Sequence, residues 1–372
     1  MQKKQVAVID IGSSKITAGL CERGINKTFI IKGKFNFEYD GFGLDGFYDV
    51  AQFTKTLEQA IQSLKNSAGS KLNCVYIGVP SAFTKVVVKN SQISFSKKKK
   101  ITGEDIDALF DSAFLVPSDS YALINRSAIV YELDDFRQLA NPIGNYSEIL
   151  KGRLSFVLCE NDFYNLVKSV CNNLGVQKVE CVSSALCQSL YLIEPELRDR
   201  IAILLDVGYI STTLMVIQGD GIILQKTFEY GGGYVSGMLA EKFDLDYLDA
   251  EKLKKKVSLS ARKSADSFET IDDLSDRYFN SLEVKETVKY SLDTLCESIA
   301  ETIADFGYVL PDYVPLLLTG GGITFIRGAK EHISNRLGYI VEVVAPKVPM
   351  LNSPTESSFL SLCDVVLEHN NY

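Results

Sequence analysis

Tryptophan is absent from this chain, and histidine occurs only twice, at His332 and His369. A histidine-dependent triad or a histidine-rich metal site would need one of these two, and neither stands in a recognisable constellation, so several enzyme classes drop out at once. Both read as surface residues. The eight cysteines (Cys21, Cys74, Cys159, Cys171, Cys181, Cys187, Cys296, Cys363) include no C-x-x-C pair, so neither a zinc centre nor a redox pair is indicated. An excess of positive charge is missing too. The net charge of −8 argues against nucleic acid as the main partner, because phosphate binding needs a basic surface. Without a signal peptide or an apolar run of about 18 residues, the chain reads as cytoplasmic and reduced. The glycosylation-type triplet at residues 26 to 28 is then chance. No G-x-x-x-x-G-K-[ST] is present, so this is no P-loop protein.

What is present is ordinary for a folded protein: 372 residues, 46% hydrophobic and 23% charged. That length exceeds one small core and implies two or more lobes. An internal echo supports this. QVAVIDIGSSKITAGLCERG, residues 5–24, and AILLDVGYISTTLMVIQGDG, residues 202–221, each read as strand, Asp-apolar-Gly, polar turn and returning strand. Asp10 matches Asp206 and Gly12 matches Gly208, which suggests a duplicated α/β lobe.

Residues 50–67 carry apolar side chains at helical spacing, and a strand follows at 73–80. The alternating stretch TKVVVKNSQISFSKKKK, a helix over 101–114 with Thr102 as N-cap, and the strand GRLSFVLC read as an inserted small α+β domain spanning 81–158. Its Lys97–Lys100 run reads as a solvated hairpin tip that could also touch anionic lipid or a partner. Helices are expected at 160–175 and 183–194, and the chain from 244 to about 309 is charged and helix-like. The expected segments are thus 1–80 and 159–200 for the first lobe around the insertion, 201–243 for the core of the second lobe, 244–315 for its helical subdomain, and 316–372 for a strand–helix segment closing the cleft.

Thr319-Gly320-Gly321-Gly322 ends an apolar strand and opens a helix, and Gly231-Gly232-Gly233 offers a second glycine turn. Glycine lets the backbone approach a ligand closely. With the two Asp-x-Gly hairpins, these turns point to a phosphate-bearing ligand gripped between lobes. Inward N–H groups form a nest for phosphate, Lys15 adds a point charge, and paired aspartates can hold Mg²⁺ through its retained waters. GFGLDG, residues 41–46, formally matches G-x-G-x-x-G, but lacks the preceding apolar strand a dinucleotide fold demands and reads as a surface turn.

DIGSSK, DVG, GGG at 231–233 and LTGGG at 318–322 resemble the nucleotide cleft of the actin, Hsp70 and sugar-kinase superfamily. Within it, GFGLDGFYDV, an amphipathic helix, VYIGVP and the inserted domain are similar to FtsA, the actin-like cell-division family, or its relative PilM. The resemblance implies an α/β, two-lobed actin-like fold of duplicated ribonuclease-H-like domains, with an inserted SHS2-type α+β domain. It implies ATP and Mg²⁺ as cofactors. By position, Asp10 and Asp206 would belong to the Mg²⁺ shell. Gly12, Ser13, Ser14 and Lys15 would form the first phosphate loop, and Asp206 and Gly208 part of the second. Gly232 and Gly233 would approach the nucleotide, Glu251 and Lys254 would lie by the ribose and adenine, and Gly320, Gly321 and Gly322 would hold the adenosine side. The other reading of Glu251 and Lys254 is a solvated helix face.

Departures from the pattern carry expectations of their own. The second loop usually reads D-x-G-G-G-T-T-D, whereas Tyr209 and Ile210 replace two glycines here and Thr213 replaces the closing aspartate. Close phosphate approach is penalised there, so altered nucleotide binding and slow or absent hydrolysis are expected. Residues 356–368 lack Lys and Arg and read as a buried last helix, so membrane contact would be indirect or through a partner. The resemblance further implies self-association into filaments and binding of FtsZ-like or other divisome partners at the septum, on the inner face of the membrane. A pilus-type adaptor that binds a short peptide near the inserted domain, and a phosphotransferase of the same superfamily, remain as alternatives.

Overall fold

The computed structural model describes residues 5–24, 28–69, 72–113, 119–260, 267–269, 277–307, 310–311 and 313–369. Two five-stranded sheets dominate it. The first runs in the order Lys178–Ser183, Cys74–Val79, Gln5–Ile11, Lys15–Arg23, Phe29–Glu38. The second, read from its far end, runs Val341–Val343, Leu316–Thr319, Ala202–Val207, Thr212–Gln218, Gly221–Phe228. Each has three antiparallel strands followed by two parallel ones, so the duplication suggested by two hairpins extends to whole sheets.

Alternation along the first strand sends Val6 and Val8 to one face and Ala7, Ile9 and Ile11 to the other. Both faces are covered. On one lies the helix Val50–Ala68, whose Phe53, Leu57, Ile61 and Leu64 are fully buried at 3- and 4-residue spacing. Asp49 starts it by accepting from the Gln52 N–H at 2.9 Å, and Gly69 ends it in the left-handed region. The helix Ser357–His369 covers the other face, burying Phe359, Leu360, Leu362 and Cys363 as its apolar composition predicted.

Inserted into the first lobe is an antiparallel sheet ordered Thr84–Lys100, Tyr146–Glu160, Tyr121–Leu133, Gln138–Leu139, with the helix Gly103–Ala113 across it. This sheet also touches the second lobe. Ser155 Oγ donates to the Ile222 carbonyl at 2.6 Å, and Ile129 is 4% exposed within the second lobe's core. The helix follows Thr102, but that hydroxyl donates to Asp105 at 3.0 Å instead of accepting from the backbone, because the Asp105 carboxylate reaches back to take both the Thr102 N–H and O–H.

Four expectations need correction or refinement. Lys97–Lys100 end an edge strand paired through Tyr146↔Lys100 and form no hairpin tip. GFGLDG does turn at the surface, with Leu44 47% exposed at its tip, but it is anchored on both sides: Phe42 is 2% exposed, Phe47 stacks on Phe53 at 3.9 Å, and the Leu44 N–H donates across the cleft to Glu229 at 2.8 Å. His332 is half-buried against Asp293 at 2.8 Å, while the side chain of His369 lies outside the described residues. The stretch from 244 onward contains the helices Tyr247–Lys256 and Ser281–Asp305, with a small pair of strands, Phe268–Glu269 and Phe279–Asn280, between them.

Candidate functional site in the interlobe cleft

The two hairpins share their pairing register as well as their sequence pattern. Asp10 pairs with Thr17 and Asp206 with Thr213, and the Gly12 N–H bonds the Lys15 carbonyl at 2.9 Å as the Gly208 N–H bonds that of Ser211 at 2.9 Å. Each strand therefore delivers an aspartate and a tight loop to its carboxyl end, facing the other lobe. A cleft of about 470 Å³ separates them. Asp10, Gly12, Ser13, Ser14, Lys15, Asp206, Gly208, Gly320 and Gly321 all line it.

The remaining expected residues stand elsewhere. Gly232 and Gly233 spend their N–H groups on the carbonyls of Gly208 and Tyr209, at 2.9 and 2.6 Å, and the Gly322 N–H bonds the Val207 carbonyl at 2.8 Å. They pack the helix Gly232–Phe243 against the back of the second loop. A Cβ on Gly232 would lie 2.4 Å from the Gly322 carbonyl oxygen, so close backbone packing requires glycine here. Behind the same loop, Lys254 is 1% exposed, which overturns the solvated-face reading for it. Its ammonium bonds the Gly232 carbonyl at 2.7 Å and Glu251 at 2.6 Å, with the rings of Tyr209 and Phe325 each 5.6 Å away. Burial lowers its pKa, opposed by the Glu251 carboxylate. Tyr209, in place of a glycine, thus roofs a buried cation and forms part of the cleft wall.

At the cleft floor, burial pushes the Asp10 carboxyl up to about 6, against the lowering effect of the Ser358 hydroxyl, which donates to it at 2.7 Å; the neighbouring Asp206 charge adds to the rise. Asp206 is raised as well, by burial, although Gln188 Nε2 donates to it at 2.8 Å. Two neighbouring carboxylates, Asp10 buried and Asp206 half-buried, the second raising the first, are the electrostatic demand a divalent cation satisfies. No group of three His, Cys, Asp or Glu capable of holding a metal occurs among the described residues, so a cation here would complete its shell with water and ligand oxygens. The residues present fit Mg²⁺ carried with a phosphate ligand.

Gly320 locks the floor in place. Its φ is +90°, and a Cβ would lie 2.3 Å from the Val207 carbonyl oxygen and 2.4 Å from Asp206 Oδ1. Gly320→Ala is expected to cost about 1–3 kcal/mol in strain and to displace Asp206. Urea unfolding checks the first effect, and loss of cation or nucleotide affinity the second.

Sequence reasoning missed Ser358, Gln188, Ser184, Lys255 and Thr355, all of which line the cleft. Ser358 lies 348 positions from Asp10, and only the docking of the last helix joins them. Beyond Lys255 a second cavity of about 570 Å³ opens, lined by Lys255, Lys256, Val257, Ser258, Phe325 and Arg327. Across the cleft mouth, the Ile210 N–H donates to Ser13 Oγ at 3.1 Å, so the two loops touch.

Comparison with known proteins gives these features a lineage. The family model described as type IV pilus assembly protein PilM matches residues 176–361. The FtsA cell-division protein of Streptococcus pneumoniae is 22% identical over 367 residues, covering 96% of this chain and 79% of the relative. That of Buchnera aphidicola is 20% identical over 338 residues, covering 89% and 80%. Among solved structures, a PilM–PilN type IV pilus biogenesis complex matches with a TM-score of 0.65 at 17% identity, covering 98% of this chain and 99% of the other. MreB5 of Spiroplasma citri bound to ADP matches at 0.57 and 11%, covering 99% and 97%. A MamK double helical filament matches at 0.51 and 14%, covering 99% of each. With the PilM model spanning half its length and FtsA proteins aligning along most of the rest, the chain belongs to the PilM family of actin-like proteins, as a divergent, FtsA-like member.

Proposed function

We propose that this protein binds Mg²⁺–ATP in the interlobe cleft and uses it as a structural ligand or slow switch that governs self-association and partner binding. One observation carries the reading: two hairpins in identical register bring Asp10, Gly12, Asp206 and Gly208 to opposite walls of one cleft. Its volume falls within the few hundred to about 1,000 Å³ of small-ligand sites. The phosphates would lie between the two loops, with Lys15 supplying charge. The base would extend past Lys255 toward the exposed ring of Phe325. A bound Mg²⁺ would screen the phosphate charge, while this chain's own residues hold and orient the ligand. Gly232, Gly233, Gly322, Glu251 and Lys254 would act from behind, keeping the second loop in shape. Because Ile210 gives its N–H to Ser13 and Tyr209 fills a glycine position, hydrolysis would be slow or absent.

Titration calorimetry with Mg²⁺–ATP tests this directly. Saturable binding that Asp10→Ala reduces at least tenfold is the expected result; no heat from the wild-type chain would mean a scaffold that has lost its ligand.

Two assembly roles follow from the relatives. The FtsA reading is a cytoplasmic filament former at the division site, binding FtsZ-like or other divisome partners. The pilus reading, favoured by the PilM family match, is an adaptor for a short peptide near the inserted domain. No described helix is long and apolar enough to cross a membrane, which suits attachment through a partner in either role. Sedimentation with FtsZ against peptide capture by the inserted-domain region separates the two.

A further inference from the structure

The helix Ser357–His369 and the strand Lys15–Arg23 meet through sulfur. Cys21 lies on the strand and Cys363 on the helix, 342 positions apart, and the Cys21 thiol donates to the Cys363 sulfur at 3.0 Å. Both side chains are 0% exposed, and both thiols are free. No C-x-x-C brings cysteines together in this chain; packing does.

A second contact fixes the register of the first. Gly19 precedes Cys21 by two residues on the strand and Phe359 precedes Cys363 by four on the helix, so each pair shares one face of its element. Two strand residues and four helix residues both advance about 6–7 Å, and the two contacts therefore fit together. A Cβ on Gly19 would collide with the Phe359 ring, so glycine lets the helix sit close on the strand. The two sulfurs then lie within about 1 Å of disulfide bonding distance.

We propose that Cys21 and Cys363 form a redox latch, which a peroxide closes by joining them in a disulfide that fixes the helix Ser357–His369 to the first sheet. This goes beyond the nucleotide reading and does not depend on it. One thiol sulfur attacks the peroxide O–O bond, leaving a sulfenic acid and one water; the other sulfur then displaces the sulfenic hydroxyl, which leaves with the second thiol proton as another water. The two thiols are oxidised by two electrons and the peroxide is reduced by two. Burial pushes the Cys363 thiol up, and the Cys21 sulfur adds to the rise, so the reactive thiolate is scarce while the helix is docked. Transient lifting of the helix therefore gates the reaction. The consequence reaches the cleft. At the start of the same helix Ser358 donates to Asp10 at 2.7 Å, and the Ser357 and Thr319 hydroxyls share a hydrogen bond at 2.7 Å, so this helix touches both lobes. A closed latch holds those contacts in place.

Full-length reduced protein treated with hydrogen peroxide in native buffer provides the test, with free thiols alkylated and peptides mapped by mass spectrometry without reductant. A Cys21–Cys363 cross-link is expected as the first product, together with a rise of about 3–7 °C in the unfolding temperature that dithiothreitol reverses. Amide exchange in the helix Ser357–His369 should slow on oxidation. Cys21→Ala and Cys363→Ala should each abolish the cross-link and the shift, whereas Cys187→Ala, at a thiol 1% exposed in the same apolar cluster, should leave both intact. If the wild-type chain keeps Cys21 and Cys363 reduced in native buffer, or if other cysteines pair as readily, the inference fails. A cross-link that changes neither the unfolding temperature nor the exchange would also overturn it, because the bond would then hold nothing.

Discussion

Lys254→Ala is expected to lower folding stability by about 3–5 kcal/mol, the cost of removing one partner from a buried ion pair. The ammonium is 1% exposed and bonds both Gly232 and Glu251. Its loss strands the Glu251 carboxylate, which keeps the Ser236 hydroxyl at 2.5 Å and a distant Lys255 at 3.8 Å. It also empties the space under the Tyr209 and Phe325 rings, adding a cavity term. The double replacement Lys254→Met with Glu251→Leu removes charge and countercharge together and should recover most of the loss. Urea midpoints of the three variants measure this. An alanine variant with the wild-type midpoint would show that the ion pair contributes nothing to stability. Because Lys254 anchors the start of the helix behind the second loop, the single variant should also loosen that loop and weaken ligand binding.

Asp10→Asn should move stability in the opposite direction. The carboxyl of Asp10 sits at about 6 in the folded protein, against 3.8 ordinarily, so the folded state holds its proton more tightly than the unfolded one. The contribution of Asp10 to stability is therefore greatest below pH 4. It falls as pH rises from about 4 to 6, and stays at the lower plateau above that, where the buried charge costs about 3 kcal/mol at 1.36 kcal/mol per unit. Asparagine is neutral and can still accept from Ser358. In the presence of a chelator, Asp10→Asn should gain up to about 3 kcal/mol at pH 7.5 and nearly nothing at pH 4. Equal midpoints of variant and wild type at pH 7.5 would show that Asp10 is solvated. The same variant should lose affinity for Mg²⁺–ATP, since the charge that weakens the apo fold is the one the ligand site uses.

Much of this cleft was legible because its elements are local. Asp10 and Gly12, or Asp206 and Gly208, lie two residues apart at the end of an apolar strand, and each hairpin closes on itself. The helix Val50–Ala68 announced itself through its apolar period, while its Asp49 cap emerged only with the structure. Lys254 was legible in principle: on the helix Tyr247–Lys256 it stands four residues after Ala250 and three before Val257, both buried, which places it on the inward face. Its charge masked that position. GFGLDG was legible only in part: its glycines signalled the turn that forms, but not that Phe42 and Phe47 anchor it in the core and that Leu44 reaches the other lobe.

By itself, then, the sequence determined the duplicated strand–loop–strand units, the placement of two aspartates and the glycine turns that follow apolar strands, because backbone periodicity and turn chemistry act over a few residues. Only the tertiary structure decided which glycines face the cleft and which pack behind it, and that Gln188, Ser184 and Ser358 join the aspartates. It also decided that Tyr209 roofs a buried lysine and that the two loops touch through Ser13 and Ile210. Those relations join residues tens to hundreds of positions apart, and they arise from burial and hydrogen-bond satisfaction between packed elements, to which no local pattern in the chain corresponds.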